Sequence, residues 1–168
     1  MTDLSRNEIV FVLNHLPDLQ TLVAGVPAGV ETHVLDASGD ALAQVAALLD
    51  GRSGIEALHL LCHGSPGALH MGSATLERAN LPRYAALLNT LSNAMAEDGQ
   101  WLIYGCNVAE GADGRHFVQA LRLATGLNVA AASHKVGAQE LGGSWELDYG
   151  MTGQQKALAL PQWHGALM

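Results

Sequence analysis

The sequence has little charge of either sign. Charged residues make up 14% of 168, and only 8 are basic against 16 acidic, for a formal net charge of −8. So few cations leave no basic footprint for a nucleic-acid backbone or an anionic membrane surface. The acidic excess suits basic substrates and suits solubility equally well. Cysteine is scarce as well. Cys62 and Cys106 are the only two, too few for a disulfide framework, and they fall on separate expected strands, so both are expected to be reduced. No apolar window reaches the ~18 residues of a membrane span. The start, Met1-Thr2-Asp3-Leu4-Ser5-Arg6-Asn7-Glu8, lacks a basic region followed by a long apolar core. No cleavable signal is read there, which leaves the cytoplasm or an export route that uses no N-terminal signal. Internal repeats and low-complexity segments are missing too.

What is present is an apolar fraction of 49%. One domain over residues 1–168 is expected, long enough to bury a core. Residues 8–14, 31–36, 57–62, 100–105 and 128–132 read as strands, the first apolar on both faces as in a parallel sheet covered by helices. Residues 144–149, with Trp145, Leu147 and Tyr149 alternating, read as a sixth. Helices are expected over 17–25, 41–50, 82–96 and 115–125. Asp40 caps the second and Gly51 stops it. Gly72-Ser73 marks a small hairpin between 68–71 and 74–77. The tail, 156–168, is apolar and is expected to pack on the body. Strands alternate with helices, so the expected fold is an α/β three-layer sandwich around a mostly parallel sheet of about six strands.

Two of these strands end alike. Trp101-Leu102-Ile103-Tyr104 runs into Gly105, Cys106 and Asn107. Ala57 to Cys62 runs into His63, Gly64, Ser65, Pro66 and Gly67. If the strands are parallel neighbours, about 4.8 Å apart, His63 and Cys106 emerge together at the C-terminal edge, where open α/β sheets hold their chemistry. A thiol attacks as thiolate, and an adjacent imidazole can take its proton and later deliver it to a leaving amine. The backbone N–H groups of Gly64 and Cys106 are placed to receive the oxyanion. Gly64 and Gly105 let the chain approach a substrate closely. Cys62 alternates to the opposite face from His63 and reads as core. His59 reads as a sheet histidine, and the other six histidines show no metal-ligand spacing. A zinc site from Cys62, His63 and Cys106 lacks the paired-ligand pattern; no metal and no cofactor are expected. Trp145 and Trp163 read as core or interface anchors.

The block His63 to Leu69 and the block Tyr104 to Ala109 resemble a bacterial domain family of unknown function, the DUF4347 type, found near the N-termini of very large secreted adhesin-like proteins. Residues 22–30 and 141–147 look like the same family, so the resemblance covers nearly the whole chain. That family is in turn similar to caspase-like cysteine peptidases. The resemblance implies a caspase-like fold and a cysteine endopeptidase with a His63–Cys106 dyad, processing the large protein or partner it accompanies. His63 precedes Cys106, as in caspases and unlike papain-like enzymes. The family usually has Ser before the His, where Cys62 stands, and often Asp after the first strand, where Asn14 stands. Asn14, Asp36 and Ser133 are the expected substrate-binding residues. Ser133 and His134 sit where related enzymes build the pocket wall. Carboxylates such as Asp18, Asp36 and Asp113 favour cleavage after a basic residue, with small residues next. Partners are expected to be peptides or proteins, with no nucleic acid and no membrane. Two rivals remain: a non-catalytic interaction or secretion-associated module with the same fold, and another Cys-dependent acyl-transfer enzyme.

Overall fold

The structure, a computed structural model, describes residues 7–150 and 163–167. In chain order its elements are β1 (Glu8–Leu13), α1 (Leu19–Ala24), β2 (Glu31–Leu35), α2 (Ala41–Leu49), β3 (Ile55–Leu61), β4 (His63–Ser65), β5 (Ala68–Met71), β6 (Ala74–Glu77), α3 (Ala85–Asn93), β7 (Met95–Tyr104), α4 (Gly111–Thr125) and β8 (Asn128–Ala130). A 3₁₀ helix, Arg78–Tyr84, leads into α3.

Five strands form the central sheet in the order β2-β1-β3-β7-β8. All four pairings are parallel. Strands at the middle of such a sheet must be apolar on both faces, and β1 is: Ile9 to Leu13 are all buried. The even positions Val10 and Val12 join one cluster with Leu61, Tyr104, Leu22 of α1 and Trp163. The odd positions Ile9, Phe11 and Leu13 join the other, with Leu42 of α2, Leu88 of α3 and Phe117 of α4. Helices α2, α3 and α4 therefore cover one face. Helix α1 and the 163–167 segment cover the other.

Several expectations need correction. The sheet has five strands. The sixth, expected at 144–149, reduces to a single antiparallel bridge between Tyr149 and Ala131. Its neighbours are tied by scattered bonds instead, Ser144 N–H to Lys135 O and Ser133 to the Asp148 carboxylate. The hairpin at 68–77 gains a third antiparallel strand, because His63–Ser65 pairs with Ala68–His70. The helix expected to run to residue 96 stops at Asn93. Met95 already pairs with Ile55, and the register shifts before Ala57 meets Gln100. Glu97, Asp98 and Gly99 bulge out of the strand there, which hid its start behind a polar sequence. Of the tail, residues 151–162 and Met168 lie outside the described residues. Trp163 and Leu167 are buried.

Asp40 caps α2 as its position suggests, its carboxylate accepting from Ala43 N–H at 3.0 Å. Asp40→Ala leaves that donor without its partner and is expected to lower stability by ~0.5–2 kcal/mol. Urea unfolding would show this as a lower midpoint at an unchanged slope.

Candidate active site

β3 and β7 are paired with Leu61 opposite Tyr104. Two residues further on, His63 and Cys106 leave the sheet at the same edge, and alternation carries both to the face of Leu61 and Tyr104. Cys106 belongs to that face's cluster and Cys62 to the opposite one. The two strand ends touch without side chains between them. A Cβ on Gly64 would lie 2.6 Å from Val108 Cγ2 and 2.9 Å from Cys106 O. One on Gly105 would lie 3.3 Å from Gly64 Cα. Asn107 takes a left-handed φ of 62°, which Asn tolerates, and turns the chain sharply after the thiol.

Cys106 is 1% exposed. Its sulfur accepts from Val136 N–H at 3.2 Å and its S–H donates to Val136 O at 3.4 Å. Burial pushes the thiol pKa up, while the Val136 and Leu167 backbone and the Lys135 charge pull against it. Cys62, wholly buried, is pushed up to about 12. His63 packs edge-on against His15, with ring centroids 4.5 Å apart. Burial lowers the His63 pKa, and the nearby His15 and His70 lower it further. At neutral pH its ring is therefore uncharged. Its Nδ1 is buried and finds no hydrogen-bond partner among the described residues, a state that costs about 1–3 kcal/mol.

Two backbone donors converge on one oxygen. Gly64 N–H and Cys106 N–H both donate to Leu167 O, at 3.1 and 2.8 Å. Leu167 N–H donates to Val136 O at 2.9 Å, and Ala138 N–H to Gly165 O at 2.8 Å. Gly137 and Ala166 form an antiparallel bridge. The 163–167 segment is thus an extended ribbon laid along 136–138, with one carbonyl between the donors beside the thiol. Paired donors of this kind stabilise negative charge on a carbonyl oxygen under attack. A neutral imidazole can accept a thiol proton.

The other expected site residues lie at the same end of the sheet and are held locally. Asn14 Oδ1 accepts from Ala37 N–H at 2.9 Å. The Asp36 carboxylate accepts from Ser38 N–H and Oγ–H, which hold its pKa down. Ser133 N–H and Oγ–H donate to Asp148. The structure brings the backbone N–H groups of Gly64 and Cys106 to Leu167 and sets His63 against His15; Asn14, Asp36 and Ser133 make their bonds elsewhere. His59 is buried in the sheet between Glu8 and Tyr104. Trp145 and Trp163 pack ring to ring and border an open groove of about 530 Å³ with Gly137, Ser144 and His164. Among the described residues, no group of three His, Cys, Asp or Glu could hold a metal ion. Sequence reading missed Val136 and Leu167, which act through backbone atoms, and His15, whose packing on His63 depends on β1 lying beside β3.

The result is an α/β domain with a thiol and an imidazole at the C-terminal edge of a parallel sheet. The family model described as a domain of unknown function (DUF4347) matches residues 9–166, and the chain belongs to that family. No curated protein and no solved structure matches it.

The thiols are expected to differ in reactivity. Cys62 is sealed between sheet and helices, whereas Cys106 lies past the end of its strand, against Val136 and the ribbon. Iodoacetamide should label Cys106 first, read by peptide mass mapping. Leu167→Asp, which puts a charge into the apolar cover, should speed labelling of Cys106 and leave Cys62 slow.

Proposed function

We propose that the protein is a cysteine endopeptidase of caspase-like kind, with Cys106 as nucleophile and His63 as general base and acid. One observation carries the reading: the N–H groups of Gly64 and Cys106, from two different strand ends, meet on a single carbonyl oxygen. That oxygen belongs to a residue whose side chain is fully buried with Val10, Val12, Leu16 and Tyr104. Such surroundings favour an apolar residue before the scissile bond, in place of the basic one expected from the loop carboxylates. The raised thiol and lowered imidazole pKa values favour a neutral pair, with the proton moving during attack.

The test is a peptidyl acyloxymethyl ketone ending in Ala-Leu, incubated with wild type, Leu167→Asp and Cys106→Ala. Covalent mass on Cys106 and none on Cys62 is the expected result. If Cys106 stays unmodified in both the wild type and Leu167→Asp, the peptidase reading fails. A non-catalytic interaction module with a filled edge is then the better description.

A further inference from the structure

We propose that residues 163–167 are an autoinhibitory strap seated in the binding site of an external peptide, and that the peptide displacing them is an extended strand of the pattern aromatic-x-Gly-x-aliphatic. The proposal rests on the cysteine-peptidase reading above and supplies the regulation and the substrate class of that site.

Each backbone N–H carries one proton, and the two donors at the thiol edge are both engaged. Gly64 N–H and Cys106 N–H point at Leu167 O, at 3.1 and 2.8 Å. A substrate carbonyl finds neither donor free until that oxygen leaves. The ribbon's other bonds are those of an added strand. Leu167 N–H is held on Val136 O, Gly165 O accepts from Ala138 N–H, and Gly137 faces Ala166 in an antiparallel bridge. Any extended peptide can repeat these bonds, as in recognition by strand addition.

Selection therefore falls to the side chains. Positions 163, 165 and 167 share one face of an extended chain. That face is turned inward: Trp163 is 1% exposed and Leu167 0%, whereas His164 between them is exposed. The Trp163 ring is fixed at both ends, its indole N–H donating to Pro17 O at 2.6 Å and its rings lying 5.9 Å from those of Trp145. A Cβ on Gly165 would lie 2.5 Å from that ring, so the aromatic side chain fills the space beside a bare backbone. The wall must be bare as well, since a Cβ on Gly137 would lie 2.4 Å from Gly165 O. Two apolar anchors with a glycine midway are what the site reads. The open groove of about 530 Å³ is lined from both sides of this seam, by Gly137 and Ala138 and by Trp163 and His164. An incoming strand meets the seam there.

The experiment compares the full chain with Gly165→Ala, which loosens the strap alone, and Gly137→Ala, which alters the wall. Two readouts are followed: the rate at which the Ala-Leu ketone labels Cys106, and the fluorescence anisotropy of a dye-tagged, end-blocked Trp-His-Gly-Ala-Leu peptide. Gly165→Ala should be labelled at least ~10-fold faster than wild type, because overpacking shifts the local equilibrium towards the open strap. It should also bind the peptide at least ~10-fold more tightly, since the competing occupant is weakened. Untagged peptide should slow its labelling again, and Trp-His-Ala-Ala-Leu should not. Gly137→Ala should gain no peptide binding. If Gly165→Ala does not fold, Trp163→Phe, which drops the Pro17 bond and keeps an apolar ring, should show the same shifts at smaller amplitude. Equal labelling of wild type and the loosened variant overturns the strap and leaves the peptidase reading standing. Peptide bound by the loosened variant with no labelling of any form overturns the peptidase reading and leaves a strap over a peptide-binding site. Peptide bound equally by Gly137→Ala, or bound by no form, overturns the proposed site; absent labelling in addition overturns both.

Discussion

His63→Ala is expected to slow hydrolysis of a fluorogenic peptide ending in Ala-Leu by ~10²–10⁴-fold, the usual worth of a placed general acid–base group. Burial keeps the Cys106 thiol protonated at neutral pH, so attack depends on a base that removes its proton. The uncharged imidazole of His63 meets that need. The loss should fall on kcat, since His63 makes no hydrogen bond to the ribbon through its Nδ1. A second readout separates a base from a packing residue. His63 is held below its ordinary pKa by burial, His15 and His70. Wild-type kcat/KM should therefore rise with pH along a limb centred below 6.5, and His63→Ala should lack that limb. His15→Gln removes one neighbouring charge, raises the His63 pKa, and should move the limb to higher pH. An unchanged limb in His63→Ala would assign it to another group. The same shifts bear on stability. The fold disfavours protonated His63 and His15, so the unfolded chain takes up these protons first. Their contribution is complete above pH 6.5 and is lost as pH falls from there through the lowered folded-state values.

Gly64→Ala is expected to cost ~10²–10³-fold in kcat, the effect of losing one oxyanion donor. The added methyl would lie 2.6 Å from Val108 Cγ2 and 2.9 Å from Cys106 O, closer than atoms can approach. Valine can rotate; the carbonyl cannot move without dragging Cys106 N–H, the second donor, with it. The two strand ends must separate, and the two N–H groups can no longer share one oxygen, so one donor is lost. Melting temperature should fall as well, because the β3–β7 seam is the centre of the sheet. Gly67→Ala is the control: its φ of 72° also strains alanine, yet it lies outside the donor pair. Equal kcat losses in the two variants would mean that general destabilisation, and not donor placement, is being measured.

How far the sequence revealed this arrangement follows from what kind of bond carries each part. Buried strands announce themselves, since Ile9 to Leu13 and, apart from His59, Leu58 to Leu61 are apolar on both faces. The positions of His63 and Cys106 at neighbouring strand ends follow from the same runs plus glycines. The start of β7 was hidden because Glu97, Asp98 and Gly99 interrupt it with a polar bulge. The third strand of the small sheet was hidden because His63-Gly64-Ser65 has turn composition and gains its pairing from β5. The ribbon at 163–167 was legible only as an apolar tail. Its register is written in backbone bonds to Val136, Ala138, Gly64 and Cys106, and any residue carries those groups. The local partners of two loop carboxylates were hidden for a related reason. Asp36 and Asp148 are occupied by Ser38 and Ser133, partners too ordinary to stand out beforehand.

The bond from Trp163 to Pro17 O joins positions 146 apart in sequence. A ribosome makes Pro17 early and Trp163 late, and the pairing cannot form until the later residue has emerged. The parallel pairings of β1, β3, β7 and β8 require no residue beyond Ala130. During synthesis, then, the sheet can close while Gly64 and Cys106 still present their N–H groups to water. The thiol edge is finished after the sheet, so the timing of its chemistry is set by elongation from Ala130 to Leu167 and by the slow closure of a very long loop.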